Sequence, residues 1–376
     1  MKILHICSGY PDTKLYQNLL LELDNKNVEQ LMYVPYNTNN IKNRRILDNA
    51  NHIDYMFSAP YKKLDRLVYY SKIHKIFRDV RQKTKLNEID VIHAHFLFSN
   101  GGVAYKIKKK FGIDYVVAVR NTDVNYFFKY GLHVRNYGVQ ILKNAKKIVF
   151  ISPAYKDYVI GKYIPEHLRE MISNKSYVIP NGIDNFWLEN IFSDKKIQND
   201  SANIKLVSVG ELNKNKNVES SIKTVSLLKK KGYKVSLDIV GKGPLEEELK
   251  DLIRSTNNQN DIKIHGYIED KRKLLQIYRE SNVFLMPSLL ETFGLVYIEA
   301  MTQGLPVIYS RGQGIDGYFS EGQVGKSVFP LNVKDIADNI EIIMSSQHDM
   351  YERTIQEVNN FSWSKIADKY LALYKL

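Results

Sequence analysis

Two glutamates, Glu291 and Glu299, stand eight positions apart in the stretch PSLLETFGLVYIEAMTQGLPVI, which runs from Pro287 to Ile308. Glu291 lies among loop-like residues, whereas Glu299 lies within an apolar run that predicts a short buried helix. Carboxylates are rarely buried without a partner. Neighbouring hydroxyl groups on a sugar present hydrogen-bond donors in pairs, so the two glutamates are candidates for binding sugars.

The segment between the glutamates predicts an anion site. A predicted strand over Val283–Met286 ends at Pro287, and a loop leads to a helix that begins near Leu295. Gly294 at that junction has no side chain, so a ligand can approach the backbone closely. The amides of Phe293–Val296 then lie at the start of a helix, where free N–H groups and the helix dipole favour an anion. Carboxylates on either side of such a site could hold the two sugars that flank the diphosphate of a nucleotide-sugar.

A purely structural interpretation of this pair stays open at this point. In that interpretation Glu291 caps the helix and Glu299 is a solvated surface residue. The apolar surroundings of Glu299, LVYIEAM, make a solvated carboxylate less favourable there.

The elements that must position these residues alternate along the whole chain. The predicted strands of the first half are KILHIC, EQLMYV, DVIHAH, YVVAV, KIVFIS and SYVIP, and those of the second half are IKLVSVG, KVSLDIVG, IKIHGY, VFLMPS and PVIYS. Helices are predicted between them, for example over Gly101–Phe111, Val218–Lys230 and Pro244–Ile253. Such alternation favours parallel sheets with helices on both faces. It predicts an α/β protein of two Rossmann-like domains, with ligands bound at the carboxyl ends of the strands, in the cleft between the domains.

A polar stretch without periodicity, Glu189–Ile204, predicts the linker between the two domains. The predicted boundaries are therefore 1–188 for the N-terminal domain, 189–204 for the linker and 205–358 for the C-terminal domain. Residues 359–376 are assigned to a C-terminal amphipathic helix, because Trp363, Ile366 and Tyr370 recur at helical spacing.

The net charge of +13 is concentrated in one half of the 376-residue chain. Met1–Asn185 contains 29 Lys and Arg against 16 Asp and Glu, while the remainder contains 25 of each. This balance predicts an anionic partner: nucleic acid, a phosphorylated substrate or an acidic membrane surface. No apolar run approaches the roughly 20 residues of a membrane span, and the first residues predict a strand rather than a signal peptide. The single Cys7 excludes an internal disulfide and favours a reducing cytoplasm.

Taken together, the motifs resemble those of the retaining GT-B glycosyltransferases of family 4. The stretch LMPSLLETFGLVYIEAMTQGLPVI resembles the family's glutamate–seven residues–glutamate signature. Four other stretches of this chain resemble further motifs of the family: VIPNGID, VSVGELNKNKN, DIVGKGPLEEEL and GLPVIYSRGQGIDGYF. The resemblance covers nearly the whole chain. It implies a GT-B fold, in which two Rossmann-like domains face each other across a cleft and a C-terminal helix crosses back to the N-terminal domain. The RGQGI variant is most similar to enzymes that build bacterial cell-surface polysaccharides of the teichuronic-acid or capsule type.

The resemblance also implies roles for individual residues. Glu291 would contact hydroxyls of the donor sugar, Glu299 the ribose of the nucleotide, and Lys216 the diphosphate leaving group. Arg120 and Asp123 stand where relatives have a histidine and an aspartate near the sugar, so they join Glu291 and Lys216 as candidate catalytic residues. The remaining candidate donor-binding residues are Phe293, Gly294, Leu295, Val296, Gly210, Glu211, Lys214, Tyr267, Ile268 and Gly9.

Three positions depart from the family pattern. Glu211 replaces an arginine that usually follows the glycine of its loop, and Lys214 is a candidate substitute for that missing cation. The N-terminal Gly-Gly loop of many members is reduced to Gly9. Arg120 replaces the usual histidine and could bind the donor phosphate or an anionic acceptor.

The implied activity is that of a hexosyltransferase. A sugar would move from a nucleotide-diphosphate donor, with a UDP-sugar favoured, to a cell-envelope glycan or lipid-linked acceptor, with retention of configuration. No cofactor and no metal are expected, because no Asp-x-Asp cluster occurs in a suitable loop. Two alternatives stay open: a GT-B epimerase or phosphorylase, and a non-catalytic glycan-binding or nucleotide-binding subunit, which Glu211 permits.

Two histidines in the stretch HAH, His93 and His95, suggest a zinc site at a strand end. Their side chains point the same way, but no third ligand is evident nearby in the sequence. A structural or substrate-lining role is therefore favoured, and His95 is kept as a candidate acceptor residue.

The stretch GKG at Gly241–Gly243 lacks the spacing of either phosphate-binding fingerprint. It predicts a tight left-handed turn instead, which glycine adopts without strain.

The stretch Lys62–Lys85 mixes apolar residues with nine Lys and Arg at helical periodicity. A solvated helix and a helix on a membrane surface both fit this pattern. A nucleic-acid site is disfavoured, because no aromatic-basic module is recognisable. The enzyme is therefore expected in the cytoplasm, with peripheral attachment to the inner face of the plasma membrane as an option. The candidate acceptor or membrane residues are Lys62, Lys63, Arg66, Lys72, Lys75 and Arg78.

Overall fold

The computed structural model describes residues 1–37, 44–66, 68–192 and 202–375. The chain divides into two compact units, which are described separately. Unit 1 comprises Met1–Ile151, Tyr155–Asn181 and Trp363–Leu376, and unit 2 comprises Ser152–Ala154 and Gly182–Ser362. The linker expected over 189–204 stays a prediction, because residues 193–201 lie outside the described residues.

Unit 1 is built on a parallel sheet. Its strands in the described residues are β1 (Lys2–Ile6), β2 (Glu29–Pro35), β3 (Ile53–Ser58), β4 (Val91–Ala94), β5 (Tyr115–Val119), β6 (Lys147–Phe150) and β7 (Ser176–Val178). Their order is β3-β2-β1-β4-β5-β6-β7, and every pairing is parallel. The helices are α1 (Lys14–Asp24), α2 (Tyr69–Lys83), α3 (Gly102–Phe111), α4 (Leu132–Asn144), α5 (Pro153–Tyr163), α6 (Glu166–Asn174) and α14 (Trp363–Tyr374).

Among the described strands of unit 1, β3 is the one that the apolar pattern did not predict. It lies at the edge of the sheet and pairs with β2 alone. Its sequence, IDYMFS, is mostly half-buried. An edge strand that is only partly covered does not need the continuous apolar run of a central parallel strand, so its signal is weak.

The two faces of this sheet carry different helices. Alternate residues of β5 point to opposite faces: Tyr115 and Val117 join the core beneath α2, α3 and α4, whereas Val116 and Ala118 join the core beneath α1 and α14. Helix α14 thus completes unit 1, and Lys26 forms a 2.8 Å ion pair with Asp368 on it.

Unit 2 repeats the same topology. Its described strands are β8 (Asn203–Val209), β9 (Lys234–Val240), β10 (Ile262–Ile264), β11 (Val283–Leu285), β12 (Val307–Ser310) and β13 (Gly325–Val328). All pair in parallel, in the order β10-β9-β8-β11-β12-β13. The helices are α7 (Asn185–Glu189), α8 (Val218–Lys230), α9 (Glu246–Ser255), α10 (Lys271–Glu280), α11 (Leu295–Met301), α12 (Val333–Ser345) and α13 (Gln347–Val358).

Strand β13 was also missed by the sequence pattern. Its sequence, GKSV, contains a glycine and a lysine, which are poor strand signals. A Cβ on Gly325 would lie 1.9 Å from the carbonyl oxygen of Val307 on the neighbouring strand, so the close pairing with β12 requires glycine.

The strand order of each sheet reverses direction at one point. In unit 2 this point lies between β8 and β11, and in unit 1 between β1 and β4. The connections that leave the two central strands run to opposite sides of such a point, which opens a crevice at their carboxyl ends. The segments that follow β8 and β11 contain Lys216 and Glu291, so the fold places these candidates where doubly wound sheets bind ligands.

Candidate active site

The loops after β8 and β9 lie directly against each other. A Cβ on Gly241 would be 1.8 Å from the carbonyl oxygen of Gly210, and one on Gly243 would be 2.3 Å from that of Leu212. Gly241 has a φ of +148°, outside the left-handed helical region. The positive φ expected of a glycine at this position is present, although the residue does not adopt the αL conformation, and glycine is needed there for close backbone packing as well.

Lys216 is presented by a short 3-10 turn, Lys214–Lys216. The side chain of Asn213 caps this turn by accepting hydrogen bonds from two of its backbone amides, those of residues 215 and 216. The next residue, Asn217, has a left-handed φ of +52°, and its side-chain amide donates to the carbonyl oxygens of Pro287 and Pro330. This asparagine, which the sequence analysis missed, ties the lysine turn to the loop that carries Glu291.

Lys216 and Glu291 form an ion pair. The distance from Lys216 Nζ to Glu291 Oε2 is 2.5 Å, and the two side chains are 21% and 12% exposed. The lysine stem also packs against the backbone of Gly210, where an added Cβ would lie 3.2 Å from Lys216 Cε. The structure thus brings together two residues that stand 75 positions apart in the sequence.

Glycines and a glutamine hold Glu291 in place. The backbone amide of Glu291 donates to Gln313 Oε1, and its carbonyl accepts from the amide of Gly314. Two glycines with positive φ pack against the Glu291 side chain: Gly314 (φ +58°) and Gly294 (φ +84°). A Cβ added to either glycine would lie within 3.4 Å of that side chain. The RGQGI stretch therefore acts as the support of the first glutamate.

Glu299 lies in a separate pocket of about 580 Å³. Helix α11 presents its side chain there beside Lys271, the first residue of α10, which forms a 2.6 Å ion pair with Asp184. Burial raises the pKa of Glu299 to about 7, although the nearby Lys271 opposes that rise. The carboxyl is therefore poised to change its charge near neutral pH.

Four further predicted donor residues line the same pocket, together with a lysine that the sequence analysis missed. The predicted residues are Gly210, Glu211, Tyr267 and Ile268. The missed residue is Lys242, the exposed middle residue of GKG. The sequence could have predicted Lys242, because a lysine that follows a strand of a parallel sheet so closely lies at the ligand-binding edge.

The other predicted donor residues are placed differently. Lys214 is exposed and lines another pocket, beside Leu245 and Leu249, rather than the pocket of Glu299. Phe293 is 2% exposed and packs against aromatic rings, whereas Leu295 and Val296 at the start of α11 are half-buried. Glu211 is exposed, and its carboxylate accepts a 2.8 Å hydrogen bond from the Asn213 side chain.

In unit 1, Asp123 and Arg120 are both buried. The Asp123 carboxylate accepts hydrogen bonds from the backbone amides of Leu97, Phe98 and Arg120 at 2.9–3.0 Å. Burial raises the pKa of Asp123 to about 6, and those amides oppose the rise. The Arg120 guanidinium donates to the hydroxyl of Tyr370 on α14. Asp123 thus holds the backbone that follows β4, and a catalytic role for either residue stays a prediction.

Gly9 and His95 follow the two central strands of unit 1. A Cβ on Gly9 would lie 2.9 Å from the ring of Phe96, so this position requires a small residue for packing. His95 is fully buried and stacks on His93, with ring centroids 3.9 Å apart.

The apolar face of helix α2 packs against the core of unit 1. Ile73, Ile76 and Val80 are buried in the core of unit 1, so this face is not available to a membrane. Lys75 pairs with Asp65 at 2.6 Å, and Lys72 Nζ lies 5.0 Å from the centre of the Tyr61 ring.

The basic side of α2 stays at the surface, where Arg78 is exposed, and the preceding Lys62 and Lys63 are exposed as well. In the part of the chain that the structure describes, no helix has the length and apolar character needed to cross a membrane.

Comparisons with known proteins match both halves of the chain. Residues 190–361 match the family described as glycosyl transferases group 1, and residues 16–185 match glycosyltransferase family 4. An uncharacterized glycosyltransferase of Methanocaldococcus jannaschii is 25% identical over 383 residues, which cover 97% of this chain and 95% of that protein.

Solved structures show the same fold along the full chain. The apo form of the lipopolysaccharide outer core galactosyltransferase WaaB matches with a TM-score of 0.75 and 16% identity, covering 100% of both chains. Anabaena HepE in complex with UDP-glucose matches with a TM-score of 0.64 and 15% identity, again over 100% of both chains.

Proposed function

Because the chain belongs to the glycosyltransferases of group 1 and family 4 and has the GT-B fold, we propose that it is a retaining hexosyltransferase that uses a nucleotide-diphosphate sugar. The observation that carries this proposal is the Lys216–Glu291 ion pair at the carboxyl ends of β8 and β11. A UDP-sugar is favoured as donor, in keeping with the UDP-glucose bound to HepE.

The ion pair suggests how donor binding prepares the leaving group. Before the donor binds, Glu291 neutralises Lys216 and holds its ammonium group in place. The donor diphosphate would take over the ammonium group, while Glu291 would turn to accept hydrogen bonds from sugar hydroxyls. A positive charge fixed before the reaction stabilises the charge that develops on the departing phosphate without further reorganisation.

Glu299 would bind the nucleoside. Its pocket offers a carboxylate for the ribose hydroxyls, with Tyr267 and Ile268 on another wall for the base. Lys242 and Lys271 line the same pocket and would supply positive charge in place of the arginine that the family pattern has at Glu211.

Retention would follow from attack on the face that the diphosphate leaves. The bond from the anomeric carbon to the diphosphate oxygen breaks with its electron pair going to the diphosphate. The acceptor oxygen then bonds to the anomeric carbon, and its proton passes to the departing diphosphate. No protein base is needed in this scheme.

We further propose an acceptor in the cell envelope, either a glycan or a lipid-linked saccharide. The basic excess of the first 185 residues suits an anionic acceptor, and the similar WaaB is a lipopolysaccharide core enzyme. Incubating the protein with a panel of radiolabelled nucleotide-sugars and envelope extracts tests the function. Label transfer supports it, whereas epimerised sugar, phosphate-dependent cleavage or no turnover would support one of the alternatives.

Titration calorimetry with UDP is expected to separate the two glutamates. Glu299→Ala should weaken UDP binding by about tenfold or more, because hydrogen bonds to a charged group contribute roughly 1.5–3 kcal/mol. Glu291→Gln should leave UDP binding equal or tighter, since it frees Lys216, yet it should impair sugar transfer. The reverse pattern would mean that the two roles are exchanged.

The same titration at pH 6 and pH 8 tests whether the Glu299 carboxylate binds UDP. Because the pKa of Glu299 is raised to about 7, the carboxylate that accepts ribose hydrogen bonds prevails only at the higher pH. We expect UDP affinity to rise by up to about tenfold between these values. In Glu299→Gln the rise in affinity that comes from ionisation of Glu299 should disappear. The change in affinity that comes from UDP itself, whose terminal phosphate has a pKa near 6, should remain.

We also propose that the basic side of α2 attaches the protein to an anionic membrane surface, and binding to anionic vesicles tests this. Each basic residue close to an anionic surface contributes roughly 1 kcal/mol, screened beyond about 10 Å. The wild type is expected to sediment with anionic vesicles at low salt, and not with neutral vesicles or at high salt. Reversing the exposed Arg78 and Arg81 on α2 to glutamate should weaken sedimentation. The matched control reverses Lys223 and Lys230 on α8 of unit 2, and equal weakening there, or no wild-type binding, contradicts the proposal.

A further inference from the structure

Three histidines converge in the core of unit 1. His5 on β1 stands in register with His93 on β4, so their side chains project from the same face of the sheet. His95 follows two positions after His93 and therefore projects from that face as well. The sequence offered only the pair in HAH, and the parallel pairing of β1 with β4 supplies the third imidazole.

The three rings are close enough to share one ligand. Their centroids are 3.9–5.5 Å apart, and one nitrogen of each ring lies within 4.8 Å of the corresponding nitrogens of the other two. A tetrahedral zinc ion with Zn–N distances of about 2.0–2.1 Å needs nitrogens roughly 3.3 Å apart. His5 Nδ1 and His95 Nε2 form a 3.1 Å hydrogen bond, and an ion bound there would take the place of the proton that they share. A nitrogen of His93 lies within 4.8 Å of both rings' ligand atoms, so its ring must move closer to complete the site.

The hydrogen bonding of the cluster is incomplete. All three side chains are fully buried. Among the described residues, His5 Nε2, His93 Nε2 and His95 Nδ1 have no hydrogen-bond partner. An unpaired buried polar atom calls for an explanation such as an ion. An ion between His5 Nδ1 and His95 Nε2 would satisfy His93 Nε2, whose other nitrogen contacts Tyr374, whereas the unpaired His5 Nε2 and His95 Nδ1 belong to the far sides of their rings.

The surroundings of His93 suit a metal ligand. Neutral imidazole is the form that coordinates metal ions. The hydroxyl of Tyr374 lies 2.7 Å from His93 Nδ1, which is the kind of outer contact that orients a ligating histidine.

We propose that His5, His93 and His95 form a binding site for a divalent transition-metal ion, with zinc as the principal candidate. Imidazole nitrogen suits zinc, copper, iron and nickel. The ion would join β1 to β4 and, through the Tyr374 contact, both strands to α14. Its role would thus be to stabilise unit 1, apart from the sugar-transfer chemistry proposed for unit 2.

Arg120 opposes this site. Its buried guanidinium lies near enough to disfavour positive charge on His93 and His95, and the same field disfavours a dication. The proposal therefore makes a further prediction: Arg120→Gln should bind the metal more tightly than the wild type does.

Metal titration of the full chain, after dialysis against a chelator, tests the proposal. We expect one equivalent of Zn²⁺ to bind and raise Tm, and Co²⁺ to give the visible absorption of a tetrahedral site. His93→Asn/His95→Asn should lose the stoichiometric binding, whereas His74→Asn, at an exposed position of α2, should keep it.

Three results would overturn the site: no uptake by the wild type, uptake retained in the double variant, or weaker binding in Arg120→Gln. If the double variant does not fold, anomalous scattering from zinc-soaked wild-type crystals decides, because the ion must lie between the three rings. An absence of zinc there rejects the proposal.

Discussion

Lys216→Ala is expected to slow sugar transfer about a hundredfold, on the order of 3 kcal/mol in the chemical step. The ammonium group of Lys216 is held by Glu291 before the donor arrives, so it needs little reorganisation when charge develops on the departing diphosphate. The loss should appear mainly in kcat, because the charge that Lys216 neutralises is largest in the transition state. Rates of labelled sugar transfer, measured with saturating donor, provide the test.

The neighbouring lysine offers a matched comparison. Lys214 lies on the same 3-10 turn but is exposed and lines a different pocket, so Lys214→Ala is expected to cost less than about tenfold. Thermal unfolding should be nearly unchanged in Lys214→Ala, because that side chain is exposed, whereas Lys216→Ala should lower Tm because it leaves the largely buried Glu291 carboxylate without its cationic partner. Lys216→Ala at the wild-type rate, or an equal loss in both variants, would rule out the proposed role.

Lowering the pH from 7 to 5.5 is expected to destabilise unit 1 strongly. The histidines of the cluster have a depressed pKa when folded but a value near 6.5 when unfolded, so acid protonates the unfolded chain first. Their stabilisation is complete above pH 6.5 and is lost as the pH falls towards 3. At pH 5.5 each histidine lowers the free energy of unfolding by about 1.4 kcal/mol, and the three together lower it by at most about 4 kcal/mol. Asp123, whose pKa is raised to about 6, offsets this by roughly 1 kcal/mol because protonation favours its folded form.

The two tryptophans allow this effect to be assigned to one unit. Trp363 belongs to unit 1 and Trp187 to unit 2, so Trp187→Phe leaves a single tryptophan, in unit 1, and Trp363→Phe leaves a single tryptophan, in unit 2. Urea unfolding is followed by tryptophan fluorescence at pH 7 and pH 5.5, with a chelator present. The urea midpoint reported by Trp363 should fall clearly from pH 7 to pH 5.5, and the midpoint reported by Trp187 should fall less. A similar fall for both probes, or none for Trp363, would contradict the role of the histidines.

The central strands were predictable because they are buried on both sides. A parallel strand covered by helices on both faces must be apolar throughout, and YVVAV in β5 has no exposed residue. The edges of the sheets relax this requirement. Strand β3 is only half covered, and β13 needs a glycine for close pairing, so neither shows the apolar run of a central strand.

The candidate site was predictable where one stretch of sequence contains several candidate residues, although Gln313 and Gly314, which hold Glu291, lie outside that stretch. Glu291 and Glu299 share such a stretch, and the structure places each beside a cationic side chain. The missed residues come from elsewhere in the chain. Lys271 reaches the pocket of Glu299 from the start of α10. His5 meets His93 only because β1 and β4 are neighbours, and strand order is not written in the spacing of residues within either strand.

The position of α14 has a consequence for how the protein is made. This helix covers one face of the first sheet, and its contacts join residues as distant as Lys26 and Ser364, which are 338 positions apart. During synthesis the N-terminal sheet would leave the ribosome long before the helix that covers it, and its apolar face would wait while all of unit 2 is translated. We therefore expect unit 1 to complete its packing only after α14 has been synthesised, because contacts between distant segments form late.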